Sequence, residues 1–372
     1  KIQFGTGGFR AVIAEGFTRQ SVECIAAGLA RLIHRENVQH FPVIVGYDRR
    51  FLSDEAARWL ACVLAKEGIP VYFIDEVAPT PLIMFAMNLF GAKYGMAVTA
   101  SHNPAIYNGI KLFTQGGRDA SKEVTDALEC QANAVVGQKV QSMDFQDALR
   151  QRLVKIINPR NEYVDSILSV LQAEKIRSRR LRILLDPMYG VSRTSLQTVL
   201  LTCRCDVDTI HDRHDPLFGG RLPAPSEQTL RSLAERVVED KYDLGIATDG
   251  DADRIGLIDS TGKFIHPNDI LVFLYYYLSE YKGWRGDAVR NVATTHLLDR
   301  MAESYGQTCH EVPVGFKYIS QKMEESDALI GGESSGGLTV RGHIRGKDGI
   351  YAAALLIELI SVVGKPLYAV LE

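Results

Sequence analysis

Residues 42–74 read PVIVGYDRRFLSDEAARWLACVLAKEGIPVYFI. Residues 42–46 form a short apolar run that is typical of a buried strand, and residues 71–74 form a second one. Between them, residues 53–67 repeat apolar side chains at the spacing of an amphipathic helix. The stretch therefore predicts a strand, a helix and a second strand, which is the unit from which parallel sheets are built.

The same order of elements recurs twice further along the chain. The two further copies are strand 182–185, helix 192–201 and strand 207–210, and then strand 291–294, helix 297–305 and strand 309–312. Strands that alternate with helices at this spacing indicate α/β domains. We therefore predict three tandem α/β domains with mixed parallel sheets.

The domain boundaries are predicted from turn-forming residues. Asn158-Pro159 follows a polar stretch, and the sequence DSTG at residues 259–262 comes shortly before His266-Pro267. A chain of 372 residues, 46% of them hydrophobic, exceeds what a single core organises. The predicted domains are residues 1–155, 156–262 and 263–372.

The composition argues against several classes of partner. The formal net charge is -3, so nothing indicates binding to nucleic acid or to an anionic membrane. The apolar run at 351–364 is interrupted by Glu358, which predicts a buried helix rather than a membrane span.

The cysteines have no CxxC or zinc-binding spacing, and no secretory signal is expected, so we predict reduced thiols in a cytoplasmic protein. The six cysteines are Cys24, Cys62, Cys130, Cys203, Cys205 and Cys309.

A serine stands in a polar loop between two predicted strands at residues 94–113. An apolar strand ends in Ala-Val-Thr-Ala, the loop reads Ser101-His102-Asn103-Pro104, and Lys111 lies on the strand that follows an Asn-Gly turn. A strand-end loop is a common place for a functional side chain, although Asn-Pro and Asn-Gly also suit a simple turn. The G-x-S-x-G elbow of a hydrolase is absent, and a strand rather than a helix follows.

Three aspartates alternate with small residues in the sequence DGDADR at 249–254, directly after an apolar strand. The carboxylates of Asp249, Asp251 and Asp253 would repel one another unless a cation neutralised them. An EF-hand is excluded, because Arg254 and Ser260 occupy the positions that need glycine and glutamate. Octahedral Mg²⁺ fits the pattern, and a solvated acidic loop is the alternative.

Three glycine-rich or basic segments complete the set of candidate ligand-binding sequences. GGESSGG at 331–337 offers Glu333 as an acceptor and Ser335 as a donor for sugar hydroxyls, although a glycine-rich turn is the alternative. GTGGFR at 5–10 places flexible backbone beside Arg10, and it is not a dinucleotide-binding fingerprint. Basic residues that are suited to phosphate lie in PVGFK at 313–317 and in HIRGKDG at 343–349.

Together these segments resemble the α-D-phosphohexomutase superfamily of phosphoglucomutases and phosphomannomutases, with the matches in the family's order. Residues 5–10 resemble its G-T-[GS]-G-x-R sequence, 99–104 its T-A-S-H-N-P phosphoserine loop, 249–254 its metal loop and 332–336 its sugar loop. The resemblance implies an active-site cleft between domains and a phosphoryl group carried by Ser101. It further implies Mg²⁺ held by the three aspartates and by the phosphate on Ser101.

The resemblance also implies the reaction and the remaining site residues. Hexose 1-phosphate and hexose 6-phosphate would interconvert through a hexose 1,6-bisphosphate, with glucose favoured and mannose as the alternative. His102 and Lys111 are acid/base candidates, and Arg10 and Arg254 stabilise charge. The implied ligand-binding residues are Arg254, Gly315, Lys317, Glu333, Ser335, His343, Arg345 and Lys347.

One departure from the family pattern bears on these expectations. The R-x-S-G-T-x-P-like loop of a fourth, phosphate-binding domain is not seen, so that domain is expected to be absent from this chain. A haloacid-dehalogenase-like phosphatase would use Asp249 as its nucleophile, but the fifth position of D-x-D-x-[TV] is Asp253. A non-catalytic phosphosugar-binding protein is the other alternative. The sequence gives no indication of an oligomeric state.

Overall fold

The computed structural model describes residues 1–370, so the predicted third domain, 263–372, extends two residues beyond the described part. Three α/β units follow one another along the chain, each with its own mixed sheet. The fold class predicted from the sequence is therefore confirmed. Within residues 1–370, no helix is both long and apolar enough to cross a membrane.

The first sheet has eight strands in the order β1-β2-β6-β5-β3-β4-β8, with β7 beside β6. The four strands at one end of this order, β5-β3-β4-β8, are parallel, and the other pairings are antiparallel. The strands are β1 (Phe4–Gly5), β2 (Gly8–Val12), β3 (Val43–Tyr47), β4 (Val71–Val77), β5 (Tyr94–Val98), β6 (Tyr107–Thr114), β7 (Arg118–Asp119) and β8 (Val154–Ile157). The helices are α1 (Arg19–Arg35), α2 (Ser53–Lys66), α3 (Thr80–Phe90), α4 (Lys122–Asn133) and α5 (Phe145–Arg150).

The second sheet has five strands in the order β10-β9-β11-β12-β13, of which the first three are parallel. Its strands are β9 (Arg182–Asp186), β10 (Asp206–Thr209), β11 (Leu244–Thr248), β12 (Ile255–Asp259) and β13 (Phe264–Ile265). Its helices are α6 (Arg160–Val170), α7 (Ala173–Arg179), α8 (Arg193–Thr202) and α9 (Arg231–Glu239), with a 3₁₀ turn at Phe218–Gly220.

The third sheet has four strands in the order β15-β14-β16-β17, and only β17 is antiparallel to its neighbour. Its strands are β14 (Ala288–Asn291), β15 (Cys309–Val312), β16 (Ile330–Gly332) and β17 (Leu338–Val340). Its helices are α10 (Pro267–Glu280), α11 (Leu297–Ser304), α12 (Phe316–Ser326), α13 (Gly349–Val363) and α14 (Leu367–Val370).

Two sheets extend beyond the boundaries predicted from turn residues. Strand β8 pairs with β4 and carries the first sheet to Ile157, past the predicted boundary at 155. Strand β13 pairs with β12 and carries the second sheet to Ile265, past the boundary at 262. The DSTG sequence at 259–262 is the hairpin turn between β12 and β13, so it joins two strands of one sheet rather than two domains.

The three units share one large apolar core in addition to smaller cores of their own. Alternate residues of β3 face opposite sides of the first sheet, with Val43 in a core of the first unit alone and Ile44 in the shared core. That shared core also contains Leu257 of the second unit and Leu356 of the third. Helix α13 supplies Leu356 and packs against α7 and α8 of the second unit. The buried helix predicted around Glu358 is α13.

Candidate active site

The predicted phosphoserine loop connects β5 to β6, and Ser101 is buried at its centre. Ser101 has a φ of 53°, a left-handed conformation that few residues other than glycine adopt. Its backbone N–H donates to Thr99 Oγ1 at 2.8 Å. Its Oγ donates to Asp249 Oδ2 at 3.0 Å and lies 3.4 Å from His102 Nδ1. The serine hydroxyl is thus aimed at the aspartate loop of the second unit.

The aspartate loop follows β11 and lies against the backbone of Ser101. Ligand oxygens of Asp249, Asp251 and Asp253 lie within 4.8 Å of one another, and all three residues are buried. A Cβ at Gly250 would lie 2.5 Å from the Ser101 carbonyl oxygen, so only glycine permits this approach. The sequence prediction of a three-carboxylate cluster agrees with this geometry.

The Lys111 ammonium group partly neutralises the negative charge of that cluster. Its Nζ donates to Asp251 Oδ2 and to Asp253 Oδ2, both at 2.7 Å. Burial disfavours the charged ammonium, but the two carboxylates outweigh burial and raise the pKa of Lys111. Burial and the other two aspartates raise the pKa of Asp249, whereas Lys111 overcomes burial and holds the pKa of Asp253 well below its usual value.

Two oxygens of the cluster remain free to bind a cation. Asp251 Oδ1 and Asp253 Oδ1 are buried and have no hydrogen-bond partner. Buried carboxylate oxygens without a partner are costly to desolvate, and a hard cation takes such oxygens as ligands. The donor set therefore fits a divalent metal ion.

A cleft of about 320 Å³ opens above this buried cluster. Seven of the predicted site residues line it, and they come from all three units. These are Arg10, His102, Arg254, Gly315, Glu333, Ser335 and Lys347. The remaining lining residues are Thr6, Gly7, Asn291, Ala293, Val314, Phe316 and Ser334.

Charged side chains surround His102 at the floor of the cleft. Burial, followed by the positive charges of Arg254 and Arg10, lowers the pKa of His102 to about 3. The imidazole is therefore neutral at pH 7. Arg10 is fixed by a 2.6 Å hydrogen bond from Nη1 to Asn103 Oδ1, in the same loop as His102. Lys347 Nζ lies 3.3 Å from Asp253 Oδ2 and brings a cation from the third unit.

The glycine-rich sugar loop lies between β16 and β17 and holds Glu333 in a fixed orientation. Glu333 Oε2 accepts a hydrogen bond from Ser335 Oγ at 3.2 Å, and Oε1 accepts one from Asn291 Nδ2 at 3.3 Å. Gly336 has a φ of 97° and its carbonyl accepts the N–H of Ile255 at 3.1 Å, which joins the sugar loop to the aspartate loop. The pair of Glu333 and Ser335 offers an acceptor and a hydroxyl to a ligand in the cleft.

The structure does not bring three of the predicted ligand-binding residues to this cleft. Lys317 lies along adjoining crevices, beside Lys111 and Asp119, with its Nζ 5.3 Å from the Tyr318 ring centroid. His343 and Arg345 line a separate cavity of about 240 Å³ in the third unit.

The contacts of His343 and Arg345 explain why they face away. His343 Nε2 lies 2.7 Å from Asp348 Oδ2, and its ring stacks on Tyr351 at 4.1 Å. Arg345 Nη1 forms a 2.5 Å ion pair with Glu324 of α12. Local partners thus occupy both side chains, and Lys347 is the one basic residue of segment 343–349 that reaches the cleft.

Three residues that hold the site together lie outside the motifs predicted from the sequence. Arg50 donates hydrogen bonds to the phosphoserine loop, and Asn291 orients Glu333. Thr80 Oγ1 donates to Asp251 Oδ2 at 2.7 Å from the start of α3. Arg50 follows an apolar strand, so the strand-end rule that identified Ser101 also applies to it. Asn291 ends β14 in the structure, but it stood at the start of the strand predicted at 291–294. No sequence signal marks Thr80.

Three family models match the chain in the order of its units. The model described as "Phosphoglucomutase/phosphomannomutase, alpha/beta/alpha domain I" matches residues 1–137. Domain II of the same family matches residues 161–262, and domain III matches residues 266–372. The matched ranges cover most of the chain and include every motif described above.

Relatives that match over nearly the whole chain bear similar names. A phosphoglucomutase/phosphomannomutase from Thermococcus kodakarensis is 32% identical over 97% of this chain and 78% of its own length. A phosphoglucosamine/phosphogalactosamine mutase from Sulfurisphaera tokodaii is 30% identical over 96% of this chain and 77% of its own. A solved structure from Thermus thermophilus, to which phosphomannomutase activity is attributed, is 33% identical with a TM-score of 0.92, over 99% of this chain and 82% of that one.

Proposed function

The chain belongs to the phosphoglucomutase/phosphomannomutase family of the α-D-phosphohexomutase superfamily, and we therefore propose that it interconverts hexose 1-phosphate and hexose 6-phosphate. Its relatives are named as mutases, so the chain is an enzyme of a phosphotransferase family. One observation carries the proposal. A buried serine hydroxyl donates to a carboxylate of a three-aspartate cluster, below a cleft lined with cationic side chains.

In the proposed reaction, Ser101 carries the phosphoryl group. A free hydroxyl of the bound hexose monophosphate attacks phosphorus, and the bond between phosphorus and Ser101 Oγ breaks as the new one forms. His102 is the proposed proton carrier, because its ring lines the cleft and lies beside Ser101 Oγ, where a neutral imidazole nitrogen can accept the hydroxyl proton. It returns that proton to Ser101 Oγ, which lies 3.4 Å from Nδ1.

The first transfer leaves a hexose 1,6-bisphosphate and an unmodified Ser101. The bisphosphate then turns in the cleft, and its other phosphate passes to Ser101 by the reverse of the same steps. Glu333 and Ser335 are the proposed partners of the sugar hydroxyls in both orientations. Arg10, Arg254 and Lys347 supply the positive charge that a phosphate at the cleft floor needs, and the backbone at Gly315 borders the same space.

Mg²⁺ is the proposed cofactor. The residues that would hold it are Asp249, Asp251 and Asp253, together with a phosphate oxygen on Ser101. The two unpartnered buried oxygens of the cluster support this choice, since hard oxygen donors suit Mg²⁺. When bound, the ion neutralises negative charge on the transferred phosphoryl group. Lys111 keeps Asp251 and Asp253 ionised and oriented by its two hydrogen bonds.

The proposed substrates are glucose phosphates first and mannose phosphates as the alternative. Names of relatives include phosphoglucosamine and phosphogalactosamine mutases, so amino sugar phosphates belong in the same test. A coupled assay with the 1-phosphates of glucose, mannose and glucosamine would measure conversion to each 6-phosphate. Comparing kcat/KM for the three sugars identifies the substrate.

Intact-protein and peptide mass spectrometry would test the covalent step. After incubation with glucose 1,6-bisphosphate, we expect one added phosphate on the peptide that contains Ser101. Phosphate on Asp249, with release of inorganic phosphate from hexose phosphates, would favour the phosphatase alternative. No covalent phosphate and no turnover, with hexose phosphate still bound, would favour a non-catalytic binding protein.

We also propose that the protein works in the cytoplasm. All six cysteines are unpaired. Free thiols at scattered positions are typical of proteins in reducing compartments. Fractionation of the source cells with an antibody to the protein would test this, and recovery from an oxidising compartment would contradict it.

A further inference from the structure

The guanidinium of Arg50 is buried beneath the phosphoserine loop. Arg50 lies in the turn between β3 and α2, and its side chain is 0% exposed. Nη1 donates to the carbonyl oxygens of Pro104 and Tyr107 at 2.9 and 3.0 Å. Nη2 donates to the carbonyl oxygens of Ser101 and Asn103 at 2.8 and 2.7 Å. Four of the five guanidinium N–H groups therefore donate hydrogen bonds to one loop.

One of those four hydrogen bonds fixes a strained peptide. Ser101 has a positive φ, a conformation that persists in a residue with a side chain only where its surroundings enforce it. Its N–H is bound by Thr99 Oγ1, and its carbonyl is bound by Arg50. The peptide groups on both sides of the Ser101 Cα are thus held, which fixes the direction in which the hydroxyl points.

Asp48 anchors this arrangement from below. Its Oδ2 accepts a 2.6 Å hydrogen bond from Thr99 Oγ1 and lies 3.6 Å from Arg50 Nε. Its Oδ1 accepts the N–H of Arg50 at 2.9 Å and the Ser53 hydroxyl at 2.8 Å. The buried charge of Arg50 is therefore opposed by a carboxylate whose two oxygens both accept hydrogen bonds, which offsets part of the cost of burying an ion pair.

The second unit covers the same guanidinium. The Phe218 ring centroid lies 4.9 Å from Arg50 Cζ, close enough for a cation–π contact. Phe218 belongs to segment 211–223, whose last residue, Pro223, accepts the N–H of Gly250 at 3.1 Å. One segment of the second unit therefore touches both the support of the phosphoserine loop and the aspartate loop.

We propose that Arg50 is a positioning residue for phosphoryl transfer, which fixes the strained Ser101 backbone and aligns it with the aspartate loop through Phe218. The inference rests on the proposed function. Arg50 is not part of the cleft lining and acts on the reaction only through Ser101. A lysine cannot replace it, because a single ammonium cannot span four carbonyl oxygens in the geometry of a planar fork.

The test compares Arg50→Lys with Arg58→Lys in the full chain. Arg58 carries the same charge on the adjoining helix α2, but its Nη2 pairs with Asp75 at 3.3 Å on the surface and not with the phosphoserine loop. The rate of phosphate transfer from glucose 1,6-bisphosphate to Ser101 is followed by quenched-flow mass spectrometry. We expect Arg50→Lys to slow this transfer about 100-fold, as a shift of about 1 Å in a reacting group does. Arg58→Lys should match the wild type.

The pattern of kinetic constants separates positioning from substrate binding. Because Arg50 does not line the cleft, KM for the hexose phosphate should stay within a factor of about three in Arg50→Lys while kcat falls. A transfer rate and kcat within that factor of the wild type in folded Arg50→Lys would overturn the proposal. If the wild-type protein neither gains phosphate on Ser101 nor turns over hexose phosphates, the proposed function fails, and this inference fails with it.

A second variant covers the case in which Arg50→Lys does not fold. Phe218→Leu keeps an apolar side chain but removes the ring from the guanidinium. We expect a transfer rate lowered about tenfold, corresponding to loss of a desolvated cation–π contact. A folded Phe218→Leu protein with the wild-type transfer rate would overturn the proposed alignment through Phe218.

Discussion

Ser101 Oγ donates a 3.0 Å hydrogen bond to Asp249 Oδ2, although 148 residues separate the two in the chain. The contact joins the end of β5 in the first unit to the end of β11 in the second. Gly250 permits it, because any side chain at that position would meet the Ser101 carbonyl. Neither unit alone contains both groups, so the candidate site depends on how the two units dock.

Replacing the proposed phosphoryl carrier should abolish activity without unfolding the protein. Ser101→Ala removes the only atom on which the transferred group would be carried. We expect mutase turnover to fall by several orders of magnitude and the circular dichroism spectrum to be unchanged. Ser169→Ala, on the exposed side of α6, is the matched control and should retain full activity. Turnover by Ser101→Ala above a few per cent of wild type would exclude a covalent role for Ser101.

Removing one carboxylate from the aspartate cluster should weaken metal binding. Asp251→Asn removes the negative charge and replaces one carboxylate oxygen with an NH₂ group, so either the unpartnered oxygen or the partner of Lys111 is lost. We expect Mg²⁺ affinity, measured by isothermal titration calorimetry, to fall by more than about tenfold, since even outer partners of a metal site contribute that much. Asp240→Asn at the exposed end of α9 should leave the affinity unchanged. Equal affinities for Asp251→Asn and wild type would place the metal elsewhere.

Neutralising Glu333 should affect substrate binding more than it affects chemistry. Glu333→Gln replaces one accepting oxygen with a donor that faces either Asn291 or Ser335. Loss of a hydrogen bond to a charged acceptor corresponds to about 1.5 to 3 kcal/mol, so KM should rise about 10- to 100-fold. Glu303→Gln on the exposed face of α11 serves as the control. An unchanged KM with lowered kcat would instead assign Glu333 to the transfer step.

At alkaline pH, exposed cysteine thiols should be alkylated faster than buried ones. Burial, followed by the charge of Asp144, raises the pKa of Cys62 to about 11, and burial raises that of Cys309 to about 12. At pH 8 their reactive thiolate fractions are about 0.1% or less, and they grow as the pH rises. Iodoacetamide followed by peptide mass spectrometry should therefore modify the exposed Cys130 first. Equal labelling of Cys62 and Cys130 at pH 8 would contradict the burial.

A buried acidic side chain in α13 should be important for stability. Glu358 is 0% exposed, and its Oε1 accepts hydrogen bonds from Tyr277 Oη at 2.6 Å and Lys282 Nζ at 2.8 Å. Glu358→Ala leaves the buried Lys282 ammonium without its counter-charge, which costs about 3 to 5 kcal/mol. Thermal denaturation should show the loss as a lowered Tm.

Two further variants give that prediction its control. A double variant, Glu358→Met with Lys282→Met, removes both charges and should recover most of the lost stability. Glu325→Ala breaks an exposed ion pair with Lys322 on α12 and should change the unfolding free energy by less than about 1 kcal/mol. A Glu358→Ala protein as stable as Glu325→Ala would show that the buried pair does not contribute.

The local sequence pattern was sufficient to predict most of the fold. The helix predicted at 53–67 is α2, which ends one residue earlier, because its apolar spacing is unbroken between turn-forming neighbours. The strand predicted at 291–294 was wrong beyond its first residue. Asn291 Oδ1 accepts hydrogen bonds from the Ala293 N–H and the Thr294 hydroxyl, and this side chain turn ends β14.

The sequence predicted the motifs of the candidate site, but not the residues that hold those motifs in place. Ser101 and the three aspartates stand out because their types and spacing suggest chemistry. Arg50 follows an apolar strand, but no local pattern reveals that it binds a loop about 50 residues away in the chain. Thr80 has no sequence signal at all. His343 has the right chemistry for a ligand site, but only the structure shows that Asp348 and Tyr351 occupy its ring.

The apolar core that all three units share limits how proteins of this kind can exchange parts. Leu356 and its neighbours on α13 fill space against helices that the second unit provides. A chimera that took residues 266–370 from a distant homologue would carry an α13 helix whose side chains are complementary to a different second unit. Recombination at this junction therefore succeeds only if complementary side chains are inherited together, so the second and third units are constrained to diverge as one piece.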